Sequence, residues 1–302
     1  MDIRQLTSFH RVATLLSFTR AAAELKYAQS SVTAQIKTLE VSLGVELFER
    51  LRGRIRLTQA GERLMPYAEQ ILSLTDEARA ATSGTGEPTG VITVGTMESI
   101  TSYRMPPLLE FFHHRYPQLQ IVLRPSAGTE LCQALRQGTV DMGFLMDART
   151  ERPGVHCEVL GVEELTVVAS PEHPLARTGG ITTEDLRRVP VLAPEAGCGY
   201  RELFDAELNT GSGEPVSFLE FGNIESVKRG VAVGLGVSLL PTMAVTDELA
   251  AGTLTALDWT PPFEVHTQLA WRQGKQLSQE MRLFVEQTAQ FTAEYYRTLV
   301  AA

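Results

Sequence analysis

Cysteine is scarce in this sequence: only Cys132, Cys157 and Cys198 occur in 302 residues. An odd and scattered set implies no disulfide framework. Long apolar runs are missing as well, and none approaches the ~18 residues of a membrane span. Arg4, His10, Arg11 and Arg20 interrupt the N-terminus where a signal peptide would need its apolar stretch. The expected compartment is therefore the cytoplasm, with no membrane partner. Patterns of common catalytic and cofactor sites are also absent: there is no His-Glu-x-x-His, no Gly-x-Ser-x-Gly and no Walker loop. His113-His114 and His156-Cys157 lack further ligands at metal-site spacing, and Gly230, Gly234 and Gly236 make no dinucleotide fingerprint. No catalytic residue, metal or cofactor is expected, so an enzyme is not. What is present is globular material, 43% hydrophobic and 21% charged. That excludes whole-chain disorder, and the length allows two or three domains.

The net charge of −9 argues at first against nucleic acid as a partner, but the average hides a split. Residues 1–65 hold ten Lys/Arg against six Asp/Glu, a balance of +4, and the remainder holds 17 against 30, a balance of −13. A basic head on an acidic body points to a nucleic-acid-binding head.

The head has the pattern of a helix-turn-helix. Leu6, Phe9, Val12, Ala13 and Leu16 recur at helical spacing, predicting a first helix from about Ile3 to Leu16 with one buried stripe. Ser17 or Thr19 can cap a second helix to about Leu25, in which Ala21 to Ala23 allow close packing. After the turn Tyr27-Ala28-Gln29, a third helix runs from about Ser30 to Leu43 with Val32, Ile36, Leu39 and Leu43 inward, and Gly44 ends it. The second helix of such a unit enters the major groove N-terminus first. Its outward Gln29, Ser30, Ser31, Thr33 and Gln35 can reach base edges, with Lys37 placed for phosphate and Arg20 nearby. Arg50, Arg52, Arg54 and Arg56 alternate with Leu51, Ile55 and Leu57 around a turn at Arg52-Gly53, which reads as one basic face of a wing.

Phe18-Thr19-Arg20-Ala21-Ala22, Ala28-Gln29-Ser30-Ser31-Val32-Thr33-Ala34-Gln35-Ile36, Leu39-Glu40 and Leu43-Gly44-Val45-Glu46-Leu47-Phe48-Glu49-Arg50 follow one another within the head. With Leu57-Thr58-Gln59-Ala60-Gly61-Glu62, this stretch resembles the winged-helix signature of LysR-type transcriptional regulators. Thr33 stands where the family usually has Ser, which keeps the hydroxyl. Ala34 stands where many members carry Arg, which removes a candidate DNA contact. The resemblance implies an imperfect inverted repeat of double-stranded DNA as partner. It also implies a homodimer made through a linker helix, assembly to a homotetramer, and a contact with RNA polymerase.

From Thr58 to about Thr82 the only glycine is Gly61, and Leu64, Ala68, Ile71, Thr75 and Ala78 form one stripe beside a second of Tyr67, Leu74 and Ala81. This predicts a long helix gripped on two sides, suited to dimerisation. Ser83 to Gly90 reads as a flexible hinge. Strands and helices then alternate. The readings are strands at Val91–Gly95, Leu119–Arg124, Val140–Leu145, Leu165–Ala169, Val191–Ala193, Val216–Phe221, Val237–Pro241 and Val265–Trp271. Helices are read at Ser102–Tyr116, Thr129–Gln137, Arg201–Leu208, Ile224–Val233 and Ser278–Leu299. That alternation predicts parallel α/β sheets in two lobes. Glu172-His173-Pro174-Leu175-Ala176, Asn223-Ile224-Glu225-Ser226-Val227 and Gly234 to Pro241 resemble the effector-binding portion of the same family, which is similar to periplasmic solute-binding proteins. The expected organisation is an α-rich winged helix-turn-helix over 1–58 and a linker helix and hinge over 59–90. A two-lobed α/β effector domain follows over 91–302, with lobe 1 about 91–162 and 268–302 and lobe 2 about 163–267.

Ligands of open α/β sheets sit at the carboxyl ends of strands. The candidates in lobe 1 are Met97, Glu98, Ser99, Ile100, Thr101, Gly128, Thr129, Phe144 and Met146. Those in lobe 2 are Gly197, Cys198, Tyr200, Arg201, Asn223 and Ile224. Arg201 could clamp a carboxylate, which points to a small organic anion as effector, whereas Glu98 would repel an anion unless paired or turned away. Cys198, in a glycine-rich turn at a helix start, leaves open a thiol switch, as in peroxide-sensing members of the family. A small-molecule receptor with a protein-interaction head is the alternative from another class.

Overall fold

The computed structural model describes residues 1–51, 54–82, 87–194, 197–210 and 216–301, without the side chains at 50, 51, 54, 73, 76, 77, 79–82 and 294–301. It divides into two compact units, one built on Met1–Gly86, the other on Glu87–Leu135, Val140–Lys275 and Gln279–Ala302.

In the first unit, α1 (Ile3–Leu15), α2 (Phe18–Glu24) and α3 (Gln29–Leu43) precede a hairpin of β1 (Phe48–Leu51) and β2 (Arg54–Leu57), then α4 (Gln59–Thr82). Asp2 and Gln5 form a capping box at the start of α1, and the Ser17 side chain accepts from the Arg20 N–H to start α2. Leu16 does not join the buried stripe. It ends α1 in the left-handed region at φ 46° and is 51% exposed, because the chain must reverse there for α2 to begin. Leu6, Phe9, Val12, Ala21, Val32, Ile36 and Leu39 make the core as read, whereas Leu43 is exposed. Phe48 closes the core, its ring 5.5 Å from Phe9 and 5.7 Å from Phe18. Each fully buried large side chain contributes roughly 1.5–3 kcal/mol.

Glu40 Oε1 accepts from the N–H groups of Leu47 at 2.8 Å and Phe48 at 3.3 Å, tying the end of α3 to the hairpin. Ala68 of α4 is buried in this core, with Leu64, Met65 and Ile71 packed against it. Tyr67 and Leu74, of the second stripe, are 62% and 52% exposed. Gly61 allows α4 to lie against the hairpin, since a Cβ there would stand 2.3 Å from the Leu47 carbonyl oxygen. Gly61→Ala must move backbone and is expected to destabilise the chain by about 1–3 kcal/mol. Thermal denaturation checks this, and a variant melting with the parent would contradict the close approach.

In the second unit, β3 (Gly90–Thr96), α5 (Glu98–Tyr103), α6 (Met105–Arg115), β4 (Leu119–Pro125), α7 (Gly128–Gln137), β5 (Met142–Asp147) and β6 (Val155–Glu163) build the first lobe. The second lobe follows as β7 (Leu165–Ala169), α8 (Thr183–Arg187), β8 (Val191–Ala193), α9 (Gly199–Leu208), β9 (Phe218–Glu220), α10 (Ile224–Ala232), β10 (Ser238–Pro241), α11 (Thr246–Ala251) and β11 (Thr255–Ala256). β12 (Val265–Arg272) returns to the first lobe, as read, and α12 (Gln279–Ala301) closes the chain.

The first-lobe sheet has the order β4-β3-β5-β12-β6. Only β4, β3 and β5 are parallel, and β12 pairs antiparallel with both β5 and β6. The expectation of wholly parallel sheets is corrected, because β6 and β12 are not joined to their neighbours by helical crossovers. In the second lobe, β10 and β11 flank β7 antiparallel, while β8 and β9 run parallel and touch the β10 side through Val191 and Val237. The single helix read over Ser102–Tyr116 is two: Pro106 and Pro107 lack the N–H groups that would bond to Ser102 and Tyr103, so α6 starts anew. Among the described residues, no helix is long and apolar enough to cross a membrane.

Candidate DNA-reading surface and effector cleft

Helix α3 presents Gln29, Ser30, Ser31 and Lys37 to solvent, and Arg20 on α2 is exposed beside them. Ala28 precedes α3 without a side-chain capping bond, so its first-turn N–H groups have no side-chain cap to satisfy them. The Thr33 hydroxyl donates to the Gln29 carbonyl at 2.9 Å, and Thr19 donates to Gln29 Oε1 at 3.2 Å. Gln35 is half-buried and accepts from the hydroxyl of Ser8, which is 0% exposed. Its amide oxygen therefore holds α3 to α1, which corrects the reading of that oxygen as free for a base.

The hairpin register pairs Arg50 with Ile55 and Leu51 with Arg54. Opposed residues share a face, and here each pair joins an even position to an odd one. Positions 50 and 54 thus lie on opposite faces, and the single arginine face is corrected. The side chains of Arg50 and Arg54, and all of Arg52, lie outside the described residues.

In the second unit a cleft of about 470 Å³ opens at the carboxyl ends of β3, β4, β8 and β9. Nine sequence candidates line it: Met97, Glu98, Ser99, Thr129, Gly197, Cys198, Tyr200, Asn223 and Ile224. The others do not. Ile100 is fully buried in the core, and the Thr101 hydroxyl donates to the Met97 carbonyl. Phe144 packs against Phe284, and Met146 is paired with Thr267 inside the sheet, because β5 runs on to Asp147, two residues past the end read for it. Gly128 is absent from the lining but marks a close approach: a Cβ there would meet the Gly197 carbonyl oxygen at 2.7 Å. Gly199 is tighter, for its Cβ would stand 2.3 Å from Cγ of Asp147. Arg152, at 2.5 Å, holds that carboxylate in place.

Arg201 is not a clamp. Its guanidinium bonds to the Pro194 carbonyl, to Glu220 at 2.8 Å and to Asp205 at 3.5 Å. The organic-anion expectation loses the residue it rested on. Glu98 is engaged as well: its Oε2 accepts from the Ile224 N–H at 2.9 Å, placing a carboxylate from α5 on the first turn of α10. Asn223 caps the same turn through Ser226 N–H at 2.7 Å. The α5–α10 link continues at Tyr103, whose hydroxyl donates to Glu225 at 3.0 Å and accepts from Lys228 at 3.0 Å. Burial pulls the Lys228 ammonium down, but its bonds to Glu225, Glu248 and Tyr103 outweigh this and hold it above its ordinary value.

The sequence reading missed Thr96, Pro125, Ser126, Ala127, Glu130, Pro194, Glu202 and Gly222 on the cleft wall. Glu130 and Glu202 lie in the first turns of α7 and α9, and first-turn position was the available signal. Among the described residues, no His/Cys/Asp/Glu group is placed to hold a metal ion.

Comparison with known proteins bears on both surfaces. The family described as the lysR-family bacterial regulatory helix-turn-helix protein matches residues 3–62, and the LysR substrate binding domain matches residues 85–293. The chain belongs to the LysR family. Among LysR-family relatives, the HTH-type transcriptional regulator YwqM of Bacillus subtilis is 39% identical over 289 residues, 95% of this chain and 98% of that one. YeiE of Escherichia coli is 34% identical over 95% and 96% of the two chains. Among solved structures, a full-length OxyR point variant from Pseudomonas aeruginosa superposes with a TM-score of 0.76 at 25% identity, covering 97% and 94%. Full-length BenM, at 24% identity and a TM-score of 0.56, shares the fold. The chain is thus a LysR-family transcriptional regulator with a helix-turn-helix domain and an effector-binding domain.

Proposed function

We propose that this regulator reads an inverted repeat in double-stranded DNA as a homodimer and that a small molecule in the cleft changes that binding. The observation that carries the reading is the outer face of α3, where Gln29, Ser30 and Ser31 are exposed at an N-terminus without a side-chain cap. Short hydrogen-bonding side chains there can reach base edges while the first-turn N–H groups meet a phosphate. Lys37, Arg20 and the hairpin arginines supply charge for the backbone. Tyr67 and Leu74, exposed on α4 in the stripe beside the buried Ala68, supply an apolar face for the partner helix. The cleft acts through the two lobes: a ligand shifts the arrangement only if it binds one lobe arrangement more tightly than the other.

The test is fluorescence anisotropy with the DNA upstream of the protein's own gene and with a random duplex of equal length, at moderate salt. At least a thousandfold preference for the upstream DNA is expected. Equal affinity for both would overturn the reading. The likeness to the OxyR structure keeps a thiol switch as the second reading, since Cys198 lies on the cleft wall at the start of α9. Cys132 and Cys157 pack together in the first-lobe core, so that chemistry would have to begin with Cys198 as a single thiol.

A further inference from the structure

We infer that the effector taken by this cleft is a small organic amine, bound as an ammonium by the rim carboxylates and the Tyr200 hydroxyl. The inference rests on the cleft being the effector site.

Charge is the first observation. Glu98, Glu130 and Glu202 line the cleft, and among the described lining residues there is no Lys, Arg or His. The helix N-termini of α5, α7, α9 and α10 offset part of that charge, at roughly half a unit each. Three carboxylates still exceed the four termini by about one charge. Acids in first turns are ordinary helix chemistry when considered singly, so the cluster alone would decide nothing.

Tyr200 is the second and independent observation. It lines the cleft, is 1% exposed, and its hydroxyl has no hydrogen-bond partner in the chain. An orphaned buried hydroxyl is costly to keep, and a ligand N–H offers it a donor. Burial pushes this phenol well above its ordinary value, and the neighbouring Cys198 and Glu98, both on the cleft wall, act in the same direction. Loss of its proton is therefore disfavoured, and the oxygen remains a neutral acceptor.

Glu98 is the third. It already occupies the first-turn N–H of α10, the place where a ligand carboxylate would otherwise be welcomed. A ligand anion would have to displace it and face Glu130 and Glu202 besides. An ammonium meets neither obstacle. The carboxylates form no metal-holding group among the described residues, and a volume of about 470 Å³ falls in the range of organic-ligand pockets, roughly 300–1,000 Å³.

The test uses the full chain and four probes of one length: 1,4-diaminobutane, 4-aminobutanoate, 1,4-butanediol and succinate. Calorimetry should show 1,4-diaminobutane binding at least tenfold more tightly than succinate or 1,4-butanediol. Tyr200→Phe should weaken 1,4-diaminobutane binding about tenfold or more and yet raise the melting temperature of the ligand-free chain, because the orphaned hydroxyl is gone. A merely structural tyrosine would not separate these two readouts. Glu130→Gln and Glu202→Gln, on exposed positions, should each weaken binding two- to fivefold. Succinate binding more tightly than the diamine, no binding of any probe at 10 mM, or unchanged diamine affinity in Tyr200→Phe would each overturn the inference. The same preparations are titrated with upstream DNA without probe. Selective DNA binding alongside any of those failures would leave the regulator reading standing and remove the amine alone.

Discussion

Raising monovalent salt from 50 to 200 mM is expected to weaken binding of the full chain to its upstream DNA by roughly 10³ to 10⁵. Arg20, Lys37, Arg50, Arg52 and Arg54 are the five cations of each head assigned to DNA, so the proposed pair of heads would neutralise about 6–10 phosphates, each releasing counterions. The logarithm of affinity should fall linearly with the logarithm of salt. Lys37→Ala should flatten the slope by about one per head, and it should do so nearly equally for specific and random DNA, because phosphate contacts carry no sequence information. Ser31→Ala should leave the slope alone and reduce the preference between the two DNAs. A loss below tenfold over this salt range would mean that the basic head is not held by the phosphate backbone.

Arg104→Met is expected to cost about 3–5 kcal/mol of stability. Arg104 and Glu163 are 8% and 2% exposed at their side chains and 2.9 Å apart. Thr267 donates to Glu163 at 2.6 Å and accepts from Arg104 at 2.9 Å. Removing the guanidinium leaves a carboxylate buried without its countercharge. Burial already holds Glu163 above the ordinary carboxylate value despite Arg104 and Thr267. A raised folded value means that this group's contribution is complete below its unfolded value, about 4.3, and is lost as pH rises through the folded value. Without Arg104 the folded value climbs further, so the gap between parent and variant should be widest near neutral pH and narrow towards pH 5. Melting curves of both proteins at pH 7.5 and 5 check this, and a gap independent of pH would show that Glu163 is not the group responsible. Arg104 also stands at the break between α5 and α6, so the variant should loosen the C-terminal end of α5, the helix whose start places Met97, Glu98 and Ser99 on the cleft wall.

Local rules carried much of the fold into the sequence. Apolar spacing places Val32, Ile36 and Leu39 inward because a helix has no other way to bury them, and Gly44 ends α3 at φ 70°, where a side chain would be strained. Nine cleft residues are legible because strand ends are marked by the change from apolar runs to small and polar residues. The remainder depends on distance and register. Arg201 is claimed by Glu220 on β9, and Glu98 by an N–H 126 positions away, neither of which any window of sequence displays. The hairpin faces turn on the register of β1 against β2, where one step changes which positions share a face. Strand β6 (VHCEVLGVE) has a burial pattern without clean alternation, so its pairing with β12 was not legible. Phe144 was misplaced by the length of β5 alone.

The two glycine approaches have a consequence for how such a regulator can change. At 128 and 199 any larger residue collides with the far wall or with Asp147, so the spacing of the walls is closed to variation by substitution at those points. The residues at 130 and 202 project exposed from helix starts and carry no such constraint, whereas Glu98 is held by the Ile224 N–H. Descendants of this chain that answer to a different molecule would therefore be expected to keep the narrow points and Glu98 and to exchange the acids at 130 and 202, altering the polarity of the mouth while the geometry that transmits its occupancy stays fixed.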